Sequence, residues 1–453
     1  MKKFPSVIPG FILALCLCSS VFAATSRPNV ILILADDLGY EAIGVNGAEQ
    51  VQTPNLDRLA GEGVRFTNCF ANPICTPSRV KIMTGQYNVR NYTKFGELDR
   101  GQTTFARLAQ EAGYATCIAG KWQLGVEKDS PQHFGFEESL LWNHTRRNQK
   151  KVKGKRVDTR FVNPQLELNG EPVDYGNGEY APQLCADFVS EFIEANKDQP
   201  FLVYYPMILT HCPFDPTPDS SDWDPTRPGS TTYKGDQNRP QKHFKDMASY
   251  MDKIVGQLEA RLVDLGIRDN TLILFTGDNG TDTPIVTRWE GKAIAGDKGN
   301  MTDAGTRVPL IASWPGKIKS GLVTDELVDF ADFLPTLCEV MQIPLPEDYP
   351  GDGVSLWPAL NGGERHKPYA YVWFSGHGKF PANVYARTKE YRYLCNLDLS
   401  NPVFADVSKP YAPITLDPTR LNSEQENIMS ELRQKVGDMA KVPTIRKPNK
   451  RAK

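Results

Sequence analysis

Two oxygen-rich pairs stand far apart in the chain, Asp36-Asp37 and Asp278-Asn279. Hard divalent cations take several oxygen ligands, and adjacent carboxylates repel each other unless positive charge lies between them. The two pairs therefore predict a cation site; the plainer alternative is that the acids cap strand ends and helix starts. A third group is Cys75-Thr76-Pro77-Ser78-Arg79. Pro77 suits the first turn of a helix, where its missing N–H is not needed. Cys75 and Arg79, four residues apart, fall on one helix face. A helix start carries partial positive charge and free N–H groups, which favour an anion. Cys75 beside Arg79 reads either as a reactive thiolate or as a buried structural thiol. His211 is a proton donor usable near neutral pH. Lys121 and Lys298 read by themselves as ordinary surface lysines, although a tetrahedral anion does need several cations converging on its oxygens.

The elements that must position these groups are short continuous apolar runs: Asn29 to Ala35, Phe201 to Pro206, Asn270 to Thr276 and Val308 to Trp314. Helical patterns alternate with them. Thr53 to Glu62 reads as a helix with Thr53 as cap, Pro54 at its start, and Leu56, Leu59 and Ala60 on one face. Phe244 to Leu265 has helical spacing as well. Continuous apolar strands separated by helices predict an α/β sheet covered on both faces. In such sheets functional groups gather at the carboxyl ends of strands, and Asp36-Asp37, His211 and Asp278-Asn279 each follow one. Residues 213–240 are rich in Pro, Asp, Ser and Thr and read as a long surface loop. Beyond Leu360 the pattern changes: Tyr369 to Phe374 and Tyr385 to Leu394 predict exposed alternating strands of a small second domain.

The run CTPSR, followed by Met83-Thr84-Gly85, resembles the signature of the sulfatase family. Further blocks resemble that family in its order: RPNVILILADDLGY, TPNLDRLAGEGVRFTN, GYATCIAGKWQLG, HFGF at His133, TGDNG and TRVPLIASWPGKI. The likeness runs from about Arg27 to about Gly362. It implies an alkaline-phosphatase-like fold, a large mixed sheet sandwiched by helices with a smaller C-terminal antiparallel sheet. It also implies that Cys75 is oxidised to formylglycine by a maturation enzyme. Asp36, Asp37, Asp278 and Asn279 match the family's ligands to one calcium ion, which the modified Cys75 also contacts. Arg79 matches the residue that steadies the formylglycine. Lys121, His211 and Lys298 match the groups that hold the sulfate and assist the leaving oxygen. The mechanism implied is in-line attack on sulfur by one hydroxyl of the aldehyde hydrate, then expulsion of sulfate by the other. The substrate implied is a sulfated carbohydrate or an aryl sulfate.

One position departs from the pattern. Where the family carries His two residues after the GK lysine, this chain has Gln123. Gln hydrogen-bonds but carries no proton at neutral pH. The departure leaves open slow turnover, or a non-catalytic binder of sulfated glycans; a phosphodiester or phosphonate-ester hydrolase of the same superfamily is the other alternative.

The 453 residues carry a formal charge of −2 and are 40% hydrophobic. That is enough for one large core, and no global field draws the chain to nucleic acid. Lys2, Lys3, the apolar Phe11 to Leu17 and Val21-Phe22-Ala23 predict a signal peptide over residues 1–23, hence a secreted or periplasmic protein without stable membrane insertion. The expected division is a catalytic domain over 24–360 and a C-terminal subdomain over 361–453. The latter ends in a basic tail from Val442 that reads as disordered. Seven cysteines remain after cleavage, so at least one is unpaired. Arg146 to Arg156 holds seven basic residues in eleven; it reads as a strip attracting a sulfated polysaccharide or as a solvated loop. Arg288, Trp289 and His377 are further candidates for sugar contact.

Overall fold

The computed structural model describes residues 27–146, 150–152, 154–230, 240–375 and 382–445. The expected signal segment, His377 and the basic end of the tail lie outside these residues. A ten-stranded mixed sheet forms the centre. Its strands lie side by side in the order Leu322–Asp329, Val64–Phe70, Arg307–Ser313, Thr271–Gly277, Asn29–Ala35, Phe201–Pro206, Ala115–Gly120, Glu138–Trp142, Gln165–Leu168 and Glu171–Asp174. The five strands from Thr271–Gly277 to Glu138–Trp142 run parallel, while Arg307–Ser313 and the last two are antiparallel to their neighbours.

The central strands are apolar at every position because both faces are covered. In a strand, successive side chains point to opposite faces. Val30, Leu32 and Leu34 thus enter one core with Leu202, Tyr204, Leu272 and Leu274. Ile31, Ile33 and Ala35 enter the other with Val203, Tyr205, Ile273 and Phe275. Helices Cys75–Thr84, Phe105–Glu111 and Phe333–Val340 cover the first face. Helices Pro54–Gly61, Ala181–Ala195 and Pro240–Asp264 cover the second.

Thr53 does not cap the Pro54–Gly61 helix as expected. Its hydroxyl accepts from the Gly44 amide and bonds to Asp57 instead. The open amides of Asn55 and Leu56 are served by Asp252 from the long neighbouring helix, at 3.1 and 2.8 Å.

The C-terminal residues form a five-stranded sheet, antiparallel in every pairing, and the helix Ser423–Ala440. The stretch Tyr385 to Leu394, expected as one exposed strand, is two strands, Asn383–Arg387 and Tyr391–Asn396, joined by a turn at Thr388-Lys389-Glu390. They are largely buried because both faces are covered. Trp373, Val384 and Tyr393 pack with Leu432 and Val436 of that helix, and Val372 and Tyr385 pack on Phe70 and Leu327 of the large sheet. All seven cysteines of the described residues are buried and unpaired. No described helix is long and apolar enough to cross a membrane.

Candidate active site

Register brings the predicted residues together. Ala35 pairs with Gly277 and Leu34 with Pro206, so Asp36, Asp278 and the segment leading to His211 leave the sheet side by side. The amide of Asp278 donates to the Ala35 carbonyl, and that of Asp36 to the Leu209 carbonyl, both at 2.8 Å. Lys121 follows the next parallel strand and is tied to the Pro206 carbonyl at 2.8 Å. Cys75 is the first residue of the helix that follows Val64–Phe70. Lys298 lies on a loop pinned from both sides: its amide donates to the Thr281 carbonyl, and that of Gly299 to the Pro73 carbonyl.

Three buried carboxylates meet three cations here. Lys121 Nζ lies 2.9 and 2.7 Å from the two oxygens of Asp36. Lys298 Nζ donates to Asp37 Oδ2 at 2.6 Å, and Arg79 Nη2 to Asp278 Oδ2 at 2.9 Å. Arg79 also holds the Lys121 carbonyl at 2.8 Å. Asn279 Nδ2 donates to Asp37 Oδ1 at 2.8 Å, while its Oδ1 is buried without a hydrogen-bond partner. Asp37 itself has φ +62°, a conformation that non-glycine residues rarely adopt. The acids therefore do not serve as strand or helix caps; they face one another.

Burial disfavours the charged form of each acid, and the local charges decide the outcome. Asp36 ends below the ordinary aspartate range because Lys121, Arg79 and Lys298 outweigh burial. Asp37 ends above it, through burial and the neighbouring Asp36, despite Lys298. Burial and Asp36 push Asp278 up to about 7 against Arg79 and Lys121. Lys298 is held well above the ordinary lysine value, since Asp37 outweighs its burial. Burial and the cations Arg160, Lys298 and Lys121 depress His211. Burial raises the Cys75 thiol, so an unmodified Cys75 is a neutral thiol and not the reactive thiolate of the first alternative.

This donor set fits a hard cation. It offers oxygens only from Asp36, Asp37, Asp278 and Asn279, includes an acceptor with no donor, and leaves two carboxyls reluctant to ionise without added positive charge. Ligand atoms of Asp36, Asp37 and His211 lie within 4.8 Å of one another, and His211 Nε2 is 3.7 Å from Asp37 Oδ2.

A cavity of about 550 Å³ opens above, with Cys75, Lys121, His211 and Lys298 among its lining. Gln123 lines it too, at φ +57° and with its buried Oε1 unpartnered. Phe95, Trp142, His144 and Arg160 are among the other lining residues, and sequence reasoning missed them. The only available signal was position: Trp142, His144 and Arg160 flank the basic run. Within that run Arg146 is tied down by Glu167 and Asp174. Lys151 and Arg156 are exposed on a short hairpin that lies in sequence between His144 and Arg160. Arg288 and Trp289 do not line it. Trp289 is buried against Tyr411, with its indole N–H donating to the Asn46 carbonyl, and Arg288 faces Glu49.

Comparison with known proteins gives two family matches: Sulfatase over residues 28–343, and N-sulphoglucosamine sulphohydrolase, C-terminal, over residues 291–441. Human arylsulfatase A is 32% identical over 406 residues, covering 82% of this chain and 75% of the relative. Mouse arylsulfatase J is 28% identical over 439 residues, covering 89% and 69%. A solved structure described as BT4656 in complex with its substrate D-glucosamine-2-N,6-O-disulfate superposes with TM-score 0.70 at 23% identity, covering 92% of this chain and 98% of that one.

Proposed function

From the chain's membership of the sulfatase family, which makes it a sulfuric ester hydrolase, we propose that it removes sulfate from a sulfated carbohydrate by means of formylglycine at position 75 and one bound calcium ion. The observation that carries this reading is the meeting of three carboxylates, an unpartnered amide oxygen and three cations at the first residue of a helix, on the floor of a cavity.

Asp36, Asp37, Asp278, Asn279 and the side chain at 75 would hold the calcium, which supplies positive charge that acidifies a hydroxyl and offsets the sulfate's charge. Oxidation of Cys75 supplies an aldehyde hydrate with two hydroxyls, one to attack sulfur and one to expel sulfate; a plain Ser or Cys lacks the second. Arg79, anchored by Asp278 and the Lys121 carbonyl, fixes positive charge beneath residue 75. Lys121 and Lys298 stand where sulfate oxygens need donors that do not reorganise during reaction. His211 presents Nε2 to the same floor, in reach of the departing oxygen. Gln123 takes the place of a proton carrier and offers only an amide. The cavity is roomy enough for a sugar unit, and a structural relative binds a glucosamine disulfate. Export and a formylglycine-generating maturation enzyme belong to the same proposal.

The test pairs mass spectrometry of the peptide around Cys75 with a screen of sulfated saccharides, aryl sulfates, phosphodiesters and phosphonate esters. Formylglycine together with desulfation of a saccharide supports the reading. Turnover by a chain whose Cys75 is intact, or turnover of phosphorus esters alone, would overturn it.

A further inference from the structure

We infer that Glu41 is a positioning residue for the cation site: its buried carboxyl group, joined by Thr281 and by Tyr411 of the C-terminal subdomain, clamps together the two loops that carry Asp36-Asp37 and Asp278-Asn279. The calcium that the clamp serves belongs to the proposed function; the clamp itself rests on hydrogen bonds between residues outside the ligand set.

The strands before the two loops pair as far as Ala35 and Gly277. Past that point the loops are held by individual hydrogen bonds. Two of these run from the Asp37 amide to Asp278 Oδ1 at 3.1 Å and from Asn279 Nδ2 to Asp37 Oδ1 at 2.8 Å. Both occupy oxygens that a bound cation would claim. Thr281 makes a connection that costs the site no ligand atom. Its hydroxyl accepts from the Gly39 amide at 3.1 Å and donates to Glu41 Oε1 at 2.6 Å. One hydrogen and two lone pairs on the hydroxyl serve both bonds at once. Gly39 stands two residues after Asp37, and Thr281 two residues after Asn279, so the connection grips each loop one short step from its ligands. The Thr281 carbonyl also accepts from the Lys298 amide at 3.2 Å, which ties the loop bearing Lys298 to the same point.

Glu41 is fixed from its other side. Tyr411 donates its hydroxyl to Glu41 Oε2 at 3.1 Å. The Tyr411 ring meets Trp289 edge-on, with ring centres 5.1 Å apart. Glu41 and Thr281 are both fully buried. Buried polar atoms persist where partners meet them, and the partners here come from opposite ends of the chain. The carboxyl group lies so close to residue 39 that a Cβ there would sit 2.4 Å from Glu41 Oε2; the clamp therefore requires glycine at that position. Through Tyr411, the C-terminal subdomain becomes part of the support of the cation site.

The test titrates calcium into the chelator-treated full chain and follows Tm alongside. Thr281→Val keeps the shape and removes the hydroxyl; it should weaken calcium binding by about 10- to 100-fold. Thr281→Ser should restore affinity close to that of the wild type. Tyr411→Phe loses one hydroxyl and should weaken binding by about 3- to 10-fold; it carries the test if Thr281→Val does not fold. Wild-type affinity in Thr281→Val or in Tyr411→Phe, whatever happens to Tm, overturns the inference, as does an equal loss in Thr281→Ser and Thr281→Val. If the wild type binds no calcium, the cation reading fails by itself. The clamp is then decided by hydrogen exchange at the Gly39 amide: protection lost in Thr281→Val and kept in Thr281→Ser upholds it, and exchange equal in all three chains overturns it.

Discussion

Under the proposed calcium reading, removing the metal should expose a proton equilibrium that the bound ion would suppress. In the metal-free chain Asp278 titrates at about 7, raised by burial and by Asp36 from an ordinary 3.8. Calcium needs the ionised carboxylate, so binding must release a proton wherever Asp278 is protonated. For one such proton, affinity between about pH 8 and about pH 5 should fall by about two orders of magnitude. Asp37, also raised, steepens the fall. The sign for folding is the opposite of the usual aspartate case. A carboxyl whose folded pKa lies above its unfolded value stabilises the fold when protonated, and that contribution is lost as pH rises from about 4 through about 7. His211, depressed in the fold, acts in the opposite direction over the same range, so the discriminating readout is the metal-dependent difference: added calcium should raise Tm more at about pH 8 than at about pH 6. Titration calorimetry of chelator-treated protein, in buffers of different ionisation enthalpy, measures both affinity and protons released. A dissociation constant flat across this range, with no proton release below about pH 7, would refute the assignment of Asp278 as a ligand.

Gln123→His should raise steady-state turnover and shrink any initial burst if sulfate expulsion is limited by the missing proton carrier; unchanged rates in single- and multiple-turnover assays would remove that explanation. Lys298→Met should cut kcat by about 100- to 1,000-fold, the loss expected for one preorganised donor, because Asp37 loses its 2.6 Å partner as well; a change confined to KM would argue that Lys298 only binds substrate. Asp329→Asn tests the support behind the site. Its buried carboxylate sits 2.9 Å from Lys81 Nζ and 3.0 Å from Lys367 Nζ, so the substitution leaves two buried ammonium groups short of charge. A loss of about 3–5 kcal/mol is expected by denaturant unfolding, and a loss below about 1 kcal/mol would show that Asp332 alone suffices.

The strands that carry the site were legible because covered on both faces they read as unbroken apolar runs, and because acids at their ends interrupt those runs abruptly. Asn29–Ala35 and Phe201–Pro206 fall where the pattern put them. The C-terminal strands were misjudged for the same physical reason in reverse. Tyr385 and Tyr393 look amphipathic in isolation, and only the packing of Ser423–Ala440 over one face and Phe70 beneath the other buries them. Nothing in the local text says that Thr388-Lys389-Glu390 turns the chain. On the floor, the acids Asp36, Asp37 and Asp278 were legible from their place at strand ends, whereas Lys121 and Lys298 were singled out by the family resemblance and not by charge type alone. The wall was not. Trp142 and Arg160 meet through a fold of the intervening chain, and Trp289 has the composition of a sugar contact but the surroundings of a core residue.

Floor and wall come from different parts of the sheet. Asp36, Asp278, Lys121 and His211 depend on parallel strands whose register cannot slip by one residue without turning every side chain to the opposite face. Trp142, His144 and Arg160 hang on a connection between Glu138–Trp142 and the antiparallel strand Gln165–Leu168 near the margin of the sheet. Wall and floor are nevertheless not independent: exchanging the segment that carries Arg160 would reshape the cavity wall and also remove the hydrogen bond Arg160 donates to the Cys212 carbonyl beside His211.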